Sequence, residues 1–151
     1  MLIEKTVSVY YVINDKPTNI LTKVFYSHTV DGDLAHIHYE VDIDNRRFCS
    51  AATSNTELAV ENLQKILPPN IKITCCQTCR YGNFCPYGDQ DNEIFCLHSM
   101  KITDKSDVCH LFTSSKTLDK RKRHLLDICP NYKPICDKEH YTYNDWNTSF
   151  K

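Results

Sequence analysis

The chain has 151 residues, 41% of them hydrophobic and 25% charged, with a formal net charge of −1. That length can bury a core without a metal or a disulfide to complete it, and the near-neutral charge sets up no global field toward nucleic acid or a membrane. No apolar run reaches the roughly 18 residues that a membrane-spanning helix needs.

The first predicted element is a strand, with Val7, Val9, Tyr11 and Ile13 alternating along one face. Glu4 stands where a signal peptide carries positive charge, so this end reads as folded structure and the chain as a cytoplasmic protein. Asn14–Pro17 is turn chemistry, and a second strand follows from about Ile20 to Val30. Asp31-Gly32 then reads as a two-residue hairpin loop, since both positions favour positive φ. That loop sets His28 opposite Ala35 and Tyr26 opposite Ile37. Val24, Tyr26, His28, Ala35, Ile37, Tyr39, Val41 and Ile43 fall on a core face. His36, His38, Glu40 and Asp42 fall on the other, which is expected to be largely solvated. Two histidines beside a carboxylate also admit a surface metal or catalytic site there.

A short strand near Arg47–Ala51 leads into a helix over 54–67. Ser54 and Glu57 fit a capping box, Ala59, Leu63, Ile66 and Leu67 recur at helical spacing, and Pro68-Pro69 stops the chain. Ile71–Thr74 reads as a returning strand and Asn92–Leu97 as another. Ser106–Phe112 reads as a turn or helical turn. Leu118–Ile128 reads as a helix with Leu118, Leu125, Leu126 and Ile128 on its apolar stripe and Lys120–Arg123 on its solvated face. The aromatic tail, with Tyr132, Tyr141, Tyr143, Trp146 and Phe150, is expected to pack on the protein. The fold class is therefore α+β: an antiparallel β-meander with a packed helix, a Cys-rich knuckle region and a second helix. It reads as one domain over 1–151, subdivided at 1–74, 75–112 and 113–151.

Five of the nine cysteines fall between Cys75 and Cys96. An odd count in a chain read as intracellular favours metal or catalysis over a disulfide framework. Cys76 and Cys79 form a C-x-x-C, which lets one tight turn offer two thiolates to a tetrahedral ion, and Gly82 relieves crowding just after it. Cys96 in the next strand and Cys109 in the following turn complete a zinc set. Cys85, His98 and His110 stand in reserve. An iron–sulfur cluster uses four thiolates as well. A redox C-x-x-C is the rival, with Cys79 or Cys85 as the reactive thiol and Arg80 as its activating cation. Cys49, Cys129 and Cys136 read as small buried hydrophobes.

The run CQTCRYGNFCPYG, with FCL and VCHLF after it, resembles a set of small uncharacterised bacterial proteins. These share a C-x-x-C, an aromatic Pro-x-Gly loop, an isolated Cys and a late Cys shortly before Phe. In this chain the positions are Cys76 and Cys79, Pro86 and Gly88, Cys96, and Cys109. The resemblance implies the same four ligands and no particular activity.

Four thiolates leave no open coordination position, and no catalytic motif accompanies them. The expected function is thus a non-catalytic interaction or regulatory protein with a structural zinc and another protein as partner. The alternative is a thiol-dependent redox enzyme or sensor. The basic run and aromatic tail match a nucleic-acid surface only in part, and the net charge opposes it.

Overall fold

The computed structural model describes residues 1–88, 92–114, 118–136 and 138–146. Phe150, part of the aromatic tail, lies outside them. The structure is mixed α and β, with a five-stranded antiparallel meander at its start, as the alternation predicts. It divides into two compact units, Met1–Ile73 and Thr74–Lys151.

The N-terminal unit is built on β1 (Ile3–Ile13), β2 (Lys16–His28), β3 (Leu34–Ile43), β4 (Arg46–Cys49) and β5 (Ile71–Thr74), in the sheet order β4-β3-β2-β1-β5. Tight turns at Asn14-Asp15 and Asp44-Asn45, all four at positive φ, make the β1–β2 and β3–β4 hairpins. Both turns suit Asn and Asp, whose short side chains tolerate the left-handed region. Val9, Tyr11, Val24, Ile37, Tyr39, Val41, Ile43 and Phe48 are buried. Tyr26 pairs with Ile37 as expected, so the register of the core face is the one the alternation predicts.

The loop is different. His28 pairs with Leu34 across a bulge, and Thr29–Asp33 closes through Thr29 N–H to the Asp33 carbonyl at 2.7 Å and Gly32 N–H to the Thr29 carbonyl at 3.0 Å. Gly32 supplies the one positive φ, +90°, in a longer bulged loop. His28 and Ala35 are consequently exposed and leave the core face, and Val30 is exposed in the loop.

Helix α1 (Thr56–Ile66) packs on β3 and β4 through Ala59, Val60 and Leu63. Its cap is Asn55 and not Ser54: Asn55 Oδ1 accepts the Leu58 N–H at 2.9 Å. Asn55 starts the helix one residue later and caps the Leu58 N–H in place of the Glu57 N–H, which removes the need for the Ser54–Glu57 box. One side chain of α1 also completes the sheet. Gln64 Nε2 donates to the Ile71 carbonyl at 2.9 Å, and Gln64 Oε1 accepts the Ile73 N–H at 2.8 Å. The amide thus stands in for a neighbouring strand along the outer side of β5.

The C-terminal unit holds a small sheet of β6 (Gly82–Asn83), β7 (Glu93–Cys96) and β8 (Lys122–His124), in that order, and helix α2 (Lys105–Ser114). The expected helix over 118–128 is a correction. Leu118–Arg121 is a single 3-10 turn, and Lys122–His124 pairs antiparallel with Glu93–Phe95. The edge of β7 offers ladder hydrogen bonds, and Lys122 reaches Glu93 at 3.5 Å. Beyond the strand, the Leu125 and Asp127 carbonyls accept the N–H groups of Gln77 and Cys76. Those external partners outweigh an isolated, highly charged helix. Leu125 packs with Phe84 and Ile94, and Leu118 with Leu97, Ile102 and Val108. The tail packs as expected: Tyr143 N–H donates to Asn83 Oδ1 and its carbonyl accepts from Phe84 N–H. No helix of the described residues is long and apolar enough to cross a membrane.

Gln64→Ala removes both partners of the outer side of β5 at once. It is expected to lower stability by about 1–3 kcal/mol through the unpaired Ile71 carbonyl and Ile73 N–H, read as a fall in the urea midpoint at unchanged slope.

Candidate functional site

Cys75 to Gly82 form one continuous turn. Thr78 N–H donates to the Cys75 carbonyl at 3.0 Å, Cys79 N–H to the Cys76 carbonyl at 3.3 Å and Gly82 N–H to the Cys79 carbonyl at 2.9 Å. The Thr78 hydroxyl accepts the Cys75 N–H at 3.1 Å, which locks the start of the turn. Gly82 is required by space: a Cβ there would land on the Cys76 carbonyl oxygen.

The thiols around this turn have distinct surroundings. Cys75 is fully buried, and burial pushes it up to about 12 against the N–H groups of Thr78 and Gln77 that face its sulfur. Cys76 is raised by burial first, then by its neighbours Cys75, Cys79, Asp127 and Cys96. Burial also raises Cys79, whose sulfur receives the N–H groups of Lys133 and Tyr81 and senses Cys96 and Cys129. Cys96 enters from β7, directly opposite Gly82. Cys109, on α2, lies against Tyr87 instead. The Tyr87 phenol is raised by its hydrogen bond to Cys109, and Cys85 is near enough to add to that shift. Among the described residues, no three of the sulfurs of Cys76, Cys79, Cys96, Cys109 and Cys129 lie within 4.8 Å of one another.

Two residues that the spacing passed over stand in this region. Cys129, expected to be buried, is exposed and is among the thiols that Cys79 senses. His140 packs edge-on against Tyr81 at 5.4 Å, as His98 does at 4.8 Å, and neither of its buried ring nitrogens has a hydrogen-bond partner. The spacing Cys136-x-x-x-His140 places both on one turn, with His140 N–H on the Cys136 carbonyl at 3.1 Å. That pair was the available signal. His110 lies on α2, where its carbonyl accepts from Ser114.

The surroundings oppose a reactive thiol at Cys79. Arg80, the proposed activating cation, donates to Glu139 Oε2 at 2.6 Å and to the Pro134 carbonyl at 3.1 Å. The C-x-x-C opens a three-residue 3-10 turn followed by β6, so its own segment offers no α-helix N-terminus to the sulfurs. Cys79 is raised, whereas an attacking thiol is lowered.

A second constellation lies on the polar face of β3. His36 and His38 are half-buried there beside Glu40, and the expectation of a largely solvated face is corrected to that extent. His36 Nε2 and His38 Nδ1 are 2.6 Å apart, and His38 Nε2 is 3.1 Å from Glu40 Oε2. Phe25 of β2 stacks on the His38 ring at 4.9 Å and 11°. Cys49 of β4, expected to be a buried hydrophobe, is exposed and directly opposite Glu40. The donor atoms of His38, Glu40 and Cys49 all lie within 4.8 Å of one another, a grouping that can bind a metal.

Gly82→Ala forces a side chain onto a backbone oxygen that cannot rotate away. It is expected to cost about 3 kcal/mol or more, at the high end for overpacking, and to lower amide-exchange protection across Cys76–Asn83 while leaving β1–β4 protected.

No protein-family model, curated protein or solved structure matches this chain.

Proposed function

We propose that this chain is a non-catalytic interaction protein whose C-terminal unit is cross-linked by one structural zinc-type ion. Cys76, Cys79 and Cys96 supply three thiolates, and Cys129 replaces Cys109 as the fourth. The observation that carries this reading is the Cys79 sulfur. It receives two backbone N–H groups and has the Cys96 and Cys129 thiols close enough to act on it electrostatically. N–H groups aimed at sulfur stabilise a thiolate, and a divalent cation removes the repulsion between thiolates that otherwise keeps them protonated.

A tetrahedral set of four thiolates is closed, so the ion fixes the turn and performs no chemistry. It would tie β7 and the segment after β8 to the C-x-x-C turn. Such a small sheet, with two-residue β6 and three-residue β8, benefits from that link. The partner on this reading is another protein, with no role for nucleic acid.

Elemental analysis of protein purified under reducing conditions tests the reading. Zinc is expected, retained in Cys109→Ser and lost from this site in Cys79→Ser and Cys129→Ser. Chelation should lower the thermal midpoint of the C-terminal unit, and acid should release the ion as the thiolates take up protons. Metal-free protein with every thiol free would overturn the proposal. Brown protein with visible absorbance would replace zinc by an iron–sulfur cluster.

A further inference from the structure

We infer that the β3–β4 face is a second metal site, with His38 Nε2, a Glu40 carboxylate oxygen and the Cys49 sulfur as its three protein ligands for a zinc-type divalent cation. The inference is independent of the cysteine turn, since every residue it uses belongs to the N-terminal unit.

The backbone sets the geometry. His38 and Glu40 are two apart on β3 and share a face, while Cys49 sits opposite Glu40 on the adjacent strand. Their donor atoms converge within 4.8 Å on strands joined by a four-residue ladder and the Asp44-Asn45 turn. This is a rigid support, and rigid support is what a metal site requires. The His38 ring is fixed on three sides, by the Phe25 stack, by Glu40 and by His36.

His36 has a different role. Its Nε2 lies 2.6 Å from His38 Nδ1, so it occupies the nitrogen that faces away from Glu40. With His38 Nδ1–H donating to His36, the His38 Nε2 lone pair is directed at the ion beside Glu40. Metal-bound histidines are commonly oriented by such a hydrogen bond on the other ring nitrogen. His36 is therefore a positioning residue.

Two positive groups flank the face. Arg47, the nearest positive group on β4, is engaged by Asp42 at 3.0 Å and 3.4 Å. Lys23 stands across β2 from Glu40 and is exposed. One nitrogen, one oxygen and one sulfur donor suit zinc, and three protein ligands leave its fourth position for water.

Zinc stoichiometry of the full chain, measured by competition with a chromophoric chelator, provides the test. His38→Ala, Glu40→Gln and Cys49→Ser should each bind one ion fewer than wild type. The count falls from two to one if the cysteine turn holds an ion, and from one to none if it does not, so the two proposals fail separately. With cobalt as probe, Cys49→Ser should lose thiolate-to-metal absorption equivalent to one sulfur. His36→Ala should weaken this site about 10- to 100-fold without removing it, and His36→Gln, which keeps an acceptor, should recover part of that loss. Metal-free thermal midpoints of all variants check that each folds. An unchanged count in the three ligand variants overturns the inference. So does a loss confined to Cys49→Ser, which would mark simple capture of metal by an exposed thiol.

Discussion

The C-terminal unit depends on the closure of the Cys75–Gly82 turn. Its peptide groups are the meeting point for chain segments that are distant in sequence. Cys76 N–H reaches the Asp127 carbonyl at 2.6 Å, Gln77 N–H reaches Leu125, Arg80 N–H reaches Lys133, and Leu97 N–H reaches the Tyr81 carbonyl. Asn144 adds its side-chain amide to the Gln77 carbonyl. The sheet here is short, so the ladder alone satisfies few of the buried main-chain groups. The turn supplies the remaining partners, which explains why one glycine methylene decides whether the region can close.

Legibility in the sequence followed the range of the forces involved. The meander could be read because Ile37, Tyr39, Val41 and Ile43 alternate with polar residues, and a buried face fixes register. Asp31-Gly32 marked a hairpin correctly but not its loop, because the same dipeptide serves a two-residue turn and a bulged five-residue loop. The cap moved from Ser54 to Asn55 because both side chains can accept the N–H three residues on, Glu57 for one and Leu58 for the other, and only the backbone angle chooses. The strand at Lys122–His124 was hidden for a deeper reason. Its partners are β7 and the cysteine turn, and nothing within 118–128 reports that such an edge exists.

The candidate sites divide in the same way. C-x-x-C is a local pattern, and the turn it predicts is present. Cys129 gave no local signal, since its relation to Cys79 comes from the chain returning past β8. Cys49 belongs beside Glu40 through cross-strand pairing, a relation that alternation along β3 alone cannot supply. His36 and His38 were visible as a pair, yet their separate hydrogen bonds, one to the other ring and one to a carboxylate, are tertiary facts.

The Gln64 amide on β5 bears on how this protein behaves in a crowded solution. An open strand edge is a template for a neighbouring chain, and the usual defences are brevity, charge or a cover. On one side of the meander the cover is a single side chain that occupies the hydrogen-bonding positions an incoming strand would need. On the other, β4 is four residues long and begins with Arg46 and Arg47. The two ends are thus guarded by different means, one by occupancy and one by electrostatic repulsion. High salt weakens only the second. Sheet-to-sheet association under such conditions would use β4 alone, and with the other edge occupied it would close as pairs joined β4 to β4 and grow no further.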